Sequence, residues 1–219
     1  MRELFYNTIL FDLDGTLTDS AAGITRSVSF ALQKFGMQRE PETLTSFIGP
    51  PLQLSFQKEC GLSGPDARLA VEYYREYYRD RGIYENRLYP GVPEMLTKLN
   101  RNGAKLCLAT SKPTVFAEKV LAHFNIARFF IHVAGSNLDG SRVEKREIIA
   151  HVLSMAGSAE TARPVMVGDR EHDIIGAHHC EIASIAVTYG YGSLEALTTA
   201  CPDHIVSSVK TLESLLLIS

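Results

Sequence analysis

The sequence has no long apolar run, no excess of basic charge and no paired cysteine motif, and each absence removes a class of function. No stretch approaches the roughly 18 apolar residues of a membrane span, so no membrane partner is expected. Lys and Arg number 22 against 25 Asp and Glu, for a formal net charge of −3. That is the reverse of the basic footprint of a nucleic-acid binder, and no nucleic-acid partner is expected. Cys60, Cys107, Cys180 and Cys201 lie far apart with no CxxC pair, and read as reduced thiols rather than a zinc site or disulfide framework. The histidines supply no substitute ligand set, since helical spacing puts His178 and His179 on different faces. The first residues, Met1 to Asn7, lack the basic segment and apolar stretch of a secretion signal. Low-complexity tracts, like-charge blocks and internal repeats are also missing. What remains is a soluble protein, expected in the cytoplasm.

The 219 residues, 45% hydrophobic and 21% charged, can bury a sizeable core and suit one domain, or one plus a smaller module. From Leu106 onward, short apolar runs alternate with amphipathic stretches. Leu106–Ala109, Phe129–Ala134, Pro164–Gly168 and Ser184–Thr188 read as buried strands, and Thr8–Phe11 as a further central one. Between them, Pro113–Phe124 places Phe116, Val120 and Phe124 on one helical face, and Glu144–Ala156 does the same with Ile148, Val152 and Met155. Strands alternating with helices of this length imply an α/β fold, a doubly wound parallel sheet with helices on both faces.

Residues 19–88 break the rhythm. Ile24, Val28, Leu32 and Phe35 form a helical stripe closed by Gly36, and Tyr73, Tyr74, Tyr77 and Tyr78 recur at helical spacing further on. No strand is expected there until the core resumes near Tyr89. The segment reads as a small all-helical module inserted into a core made of 1–18 and 89–219, its tyrosines packing between helices.

The residues that carry chemistry follow the strands. Asp12-Leu13-Asp14-Gly15-Thr16 stands just past the first strand, where an open parallel sheet binds its ligands. On a strand, Asp12 and Asp14 share a face, and two crowded carboxylates call for a hard cation such as Mg²⁺. Gly168-Asp169-Arg170-Glu171-His172-Asp173 follows another strand, with Asp173 one helical turn beyond Asp169. Parallel strands gather their carboxyl ends, so Asp169 can join the first pair as a third metal ligand. Thr110, Ser111 and Lys112 end a further strand and offer donors to a phosphate oxygen, while Lys145 opens a helix. Alone, each lysine reads as surface charge. Together the set is a phosphoryl-transfer kit.

At these residues the sequence resembles the haloacid dehalogenase superfamily of phosphatases over essentially its whole length. Asp12 to Thr16 resemble the first motif, Thr110 the second, Lys145 the third and Gly168 to Asp173 the fourth, in the family's order. The helical insertion resembles that family's small cap domain. Thr110-Ser111-Lys112, Phe47-Ile48-Gly49-Pro50-Pro51 and Gly190-Tyr191-Gly192 resemble the phosphoglycolate phosphatase-like branch. The resemblance implies a Rossmann-like core and hydrolysis of a small phosphorylated metabolite. Asp12 would be the nucleophile and Asp14 the acid and base, with Mg²⁺ held by Asp12, the Asp14 carbonyl and Asp169. Thr110, Ser111, Lys145 and Gly15 would bind phosphate, supported by Asp173 and Lys112. Phosphoglycolate is the substrate it suggests. Nucleoside 5′-monophosphates, pyrophosphate and sugar phosphates are the competitors, and a monomer or homodimer is expected. A phosphomutase of the same superfamily would resemble a pattern with histidine where Ile24 stands. A phospho-acceptor signalling module is the non-enzyme alternative, although such modules lack both the inserted helices and the second aspartate.

Overall fold

The structure is a computed structural model and describes residues 4–157 and 163–217. Thr8, Ile9, Leu10 and Phe11 form β1 (Thr8–Phe11), buried along its whole length. The two-residue β2 (Thr18–Asp19) leads to three helices, α1 (Ala21–Gln33), α2 (Leu52–Cys60) and α3 (Gly64–Tyr77), and then to a π-helical turn over Tyr78–Gly82. The chain returns through β3 (Arg87–Leu88) and α4 (Val92–Arg101). Strands and helices then alternate as β4 (Lys105–Pro113), α5 (Thr114–His123), β5 (Phe130–Ser136), α6 (Lys145–Ala156), β6 (Pro164–Gly168), α7 (Glu171–His179) and β7 (Ala183–Val187). The described chain closes with α8 (Leu194–Thr199), β8 (His204–Val206) and α9 (Val209–Leu216). Among the described residues, no helix is long and apolar enough to cross a membrane.

Six strands form one sheet in the order β5-β4-β1-β6-β7-β8, with every neighbouring pair parallel. The chain starts in the middle, builds outward through β4 and β5, then returns beside β1 to build the other way. This is the expected doubly wound sheet, and β1 lies at its switch point, between β4 and β6. Leu10 is in register with Cys107 and Met166, and these three pack in one buried cluster with Ile148, Ile149 and Val152 of α6 and Ala177 of α7. The alternate residues Ile9, Phe11, Leu106, Leu108, Val165 and Val167 are fully buried as well. A sheet buried on both faces explains why these strands read as continuous apolar runs. Met155, assigned to the apolar face of its helix, is exposed instead.

The chain divides into two compact units, Met1–Thr18 with Leu88–Ser219, and Asp19–Arg87. The second unit is helical, but two short strands do bound it: β2 and β3 pair in a two-stranded sheet where no strand was expected. Two residues are too few to leave a period in the sequence. Within this unit two of the four stripe tyrosines are core and the other two pack half-buried against phenylalanines. Tyr74 and Tyr78 are buried and stacked with centroids 5.3 Å apart, Tyr73 meets Phe35 edge-on and Tyr77 lies against Phe30.

Gly23 in α1 sets how closely α1 and the π-helical turn approach. A Cβ there would strike the carbonyl of Gly82, and one on Gly82 would press on Ser27 Oγ and the Gly23 carbonyl. Alanine is ordinarily about 1 kcal/mol better than glycine inside a helix. Here overpacking outweighs that preference, so Gly23→Ala is expected to lower stability by about 1–2 kcal/mol. A urea titration of the variant against the parent protein measures the sign.

Candidate active site

Each acidic cluster stands where a strand stops. The Asp12 N–H still donates to the Val167 carbonyl at 2.9 Å, after which the chain leaves the sheet. The Leu13 carbonyl accepts from the N–H groups of Leu17 and Thr18 at 2.9 and 3.0 Å, which closes a tight turn. Gly15 makes this turn possible with a φ of +89°, and it has a second reason to be glycine, since a Cβ there would strike the Asp169 carboxylate. On the neighbouring strand, Gly168 packs against Asp173 with no room for a Cβ, and Asp169 follows it. Asp173 sits in the first turn of α7, where its Oδ2 accepts from the Arg170 N–H at 3.0 Å.

The lysines come from β4 and α6. Lys145 Nζ lies 2.6 Å from Asp12 Oδ1 and 2.7 Å from Asp173 Oδ1, bridging the two acidic loops. Lys112 Nζ lies 2.6 Å from Asp14 Oδ2. Both lysines are at least nine-tenths buried, not at the surface where each taken alone would be expected. Asp12, Asp14, Asp169 and Asp173 are buried too, so four carboxylates face two ammonium groups. Were all four acids ionised, they would outnumber the two ammonium groups by two in a buried place.

Burial and this imbalance both act on the acids of the site. Burial, opposed by Lys145 and reinforced by Asp173 and Asp14, pushes Asp12 up to about 6. Burial, and then the charges of Asp12 and Asp173, raises Asp169 well above the usual carboxylate range. Burial alone would lower Lys145, but Asp12 and Asp173 outweigh it and hold its pKa above the ordinary value.

Carboxylate oxygens of Asp12, Asp169 and Asp173 lie within 4.8 Å of one another. Asp169 Oδ2 accepts from the Tyr191 N–H at 2.7 Å, while its Oδ1 is buried with no hydrogen-bond partner. An orphaned carboxylate oxygen among buried acids is the donor set a hard divalent cation takes. The residues therefore fit Mg²⁺.

The other expected site residues stand at the end of β4, which carries Lys112. Thr110 is buried and its Oγ1 accepts from the Lys112 N–H at 3.3 Å. Ser111 is held through its carbonyl, which accepts from Ser136 Oγ at 2.8 Å, and Gly135 packs against the Lys112 carbonyl with no space for a Cβ. Arg142 Nε donates to the Gly135 carbonyl at 2.9 Å and secures the same corner. Asp12 and Asp14 do not stand together on a strand, contrary to the spacing: β1 ends at Phe11, and the turn carries Asp14 toward Lys112. The Asp14 carboxylate lies outside the cluster formed by the carboxylates of Asp12, Asp169 and Asp173. Gly190, Tyr191 and Gly192, the stretch that resembles the phosphoglycolate phosphatase-like branch, back Asp169, a contact between loops 22 residues apart that no local pattern in the sequence gives.

The comparisons with known proteins decide the family. A family described as haloacid dehalogenase-like hydrolase matches residues 9–187. The chain belongs to it. A 5′-nucleotidase from Pseudomonas aeruginosa is 46% identical over 215 residues, 97% of this chain and 96% of that one. A phosphoglycolate phosphatase from Vibrio vulnificus is 31% identical over 222 residues, covering 96% of each. The crystal structure of a protein from Clostridium acetobutylicum, described as a predicted phosphatase, superposes with a TM-score of 0.92 at 43% identity, over 97% of this chain and 98% of that one. The chain is accordingly a phosphatase of the haloacid dehalogenase-like family, and its six-stranded parallel sheet is that family's core.

The buried nucleophile candidate has a measurable effect on stability. A carboxylate whose pKa is raised on folding, here from 3.8 to about 6, contributes stability that is present below the unfolded value and lost as pH rises through the folded one. In EDTA, Asp12→Asn is expected to be more stable than the parent protein above pH 6, with the gap closing as pH falls to 4. Urea midpoints measured across that range check the sign, and a gap that widens toward low pH would refute it.

Proposed function

We propose that the chain hydrolyses small phosphomonoesters in the presence of Mg²⁺ through a phosphoryl group carried on Asp12. One observation carries this reading: Asp12 and Asp14, two residues apart, pair with different lysines, Asp12 with the Lys145 it shares with Asp173 and Asp14 with Lys112, so two carboxylates of one turn are held in different surroundings. Asp12 attacks phosphorus, the bond to the leaving oxygen breaks, and Asp14 delivers a proton to that oxygen. In the second half, Asp14 takes a proton from water, the water oxygen attacks phosphorus, and free phosphate and the Asp12 carboxylate are regenerated. Lys145 steadies the Asp12 carboxylate and, with Thr110, holds the phosphoryl oxygens as charge builds on them.

Asp12, the Asp14 carbonyl and Asp169 would hold the ion, with Asp173 as a brace through Lys145 and the Arg170 N–H. When bound, Mg²⁺ offsets the repulsion between the anionic nucleophile and the anionic substrate. Residues 19–88 act as the cap that excludes water and selects the leaving group. Ile24 is buried within that helical unit and carries no acid or base, which speaks against a phosphomutase.

For the substrate, the 46% identity to a protein named 5′-nucleotidase favours nucleoside 5′-monophosphates over phosphoglycolate, whose named phosphatase is 31% identical. Phosphate release from p-nitrophenyl phosphate is expected to need Mg²⁺, to stop in EDTA, and to fall at least about a thousandfold in Asp12→Asn. Activity that survives chelation or that substitution defeats the mechanism. Specificity constants across nucleoside monophosphates, phosphoglycolate, pyrophosphate and sugar phosphates are expected to be highest for a nucleotide.

A further inference from the structure

The loop after β7 runs Thr188, Tyr189, Gly190, Tyr191, Gly192, and the reaction above uses none of its side chains. It nevertheless touches the site at several points. The Tyr191 N–H donates to Asp169 Oδ2 at 2.7 Å. A Cβ on Gly190 would strike Asp169 Cβ and Oδ2 and the Gly15 carbonyl, and one on Gly192 would strike the Asp169 carbonyl oxygen. Gly15 presses on the same carboxylate from the loop after β1. Asp169 is therefore clamped between two stretches of bare backbone.

Tyr189 joins those two stretches. Its hydroxyl donates to the Thr16 carbonyl at 3.0 Å, one residue beyond Gly15, and its ring meets Tyr89 edge-on with centroids 4.9 Å apart. We propose that Tyr189 is a positioning residue for Asp169: its hydroxyl ties the loop after β7 to the loop after β1 and so fixes the gap that holds the carboxylate. The inference rests on the reading of Asp169 as an Mg²⁺ ligand. Burial, then the neighbouring Tyr89 and Asp169, holds the Tyr189 phenol far above its ordinary pKa, so it remains a donor throughout the neutral range. A gap of fixed width matters more for metal binding than for folding. Loss of the support that orients a metal ligand typically weakens binding about 10- to 100-fold.

The test is Mg²⁺ binding by isothermal titration calorimetry on the full chain without substrate, beside melting in EDTA. Tyr189→Phe is expected to bind Mg²⁺ about tenfold more weakly while its melting temperature in EDTA stays within about 3 °C of the parent protein. Gly190→Ala is expected to weaken binding at least as much, because its Cβ displaces Asp169 directly. Parent-like Mg²⁺ affinity in Tyr189→Phe overturns the inference, as does an affinity loss that comes only with a large fall in EDTA melting temperature. If the parent protein binds Mg²⁺ and Asp169→Asn binds it equally, or if the parent binds none, the metal reading fails and this inference falls with it.

Discussion

Like charges held close in a buried place repel, and the sheet creates that situation at one end. β1 and β6 are parallel neighbours, so both release acidic residues toward the same side. Four carboxylates and two ammonium groups share that space. Every local feature around it answers the repulsion in some way. Lys145 bridges Asp12 and Asp173, Lys112 occupies Asp14, and backbone N–H groups hold the rear oxygens of Asp169 and Asp173. Glycines stand where any side chain would push the carboxylates apart.

This arrangement separates two chemically identical groups. Asp12 is held by a lysine that is itself shared with Asp173, whereas Asp14 has Lys112 and sits outside the three-carboxylate cluster. In the proposed mechanism, these unequal surroundings would let one carboxylate serve as nucleophile while its neighbour handles protons. The crowding of acids that destabilises the folded chain is the same crowding that makes the place fit for a divalent cation.

Much of the sheet could be read directly. β1 and β6 are buried on both faces, so their residues form unbroken apolar runs with recognisable ends, and the acids just beyond those ends stand out. β8 could not be read, because its three residues include exposed His204 and Ile205 at the sheet edge. The Asp14 to Lys112 pair was hidden for a different reason. Spacing along a strand says nothing once the strand has stopped, and the turn at Gly15 redirects the second acid. The burial of both lysines depends on acids supplied by other strands, as when Lys145 meets Asp12 across 133 positions. The Tyr189 contact to Thr16 joins residues 173 apart in sequence, beyond any local pattern.

The paired strands β2 and β3 carry a consequence for how such a protein can change. The helical segment departs at Thr18–Asp19 and returns at Arg87–Leu88, on two strands that are hydrogen-bonded neighbours. Its ends are therefore about 5 Å apart, the width of one strand spacing. Any replacement module whose own ends meet at that spacing can be grafted without altering the register of the six-stranded sheet. On the proposed reading, selectivity for the phosphate's carrier would then be exchanged wholesale, while the phosphoryl chemistry proposed for the sheet end stays as it is.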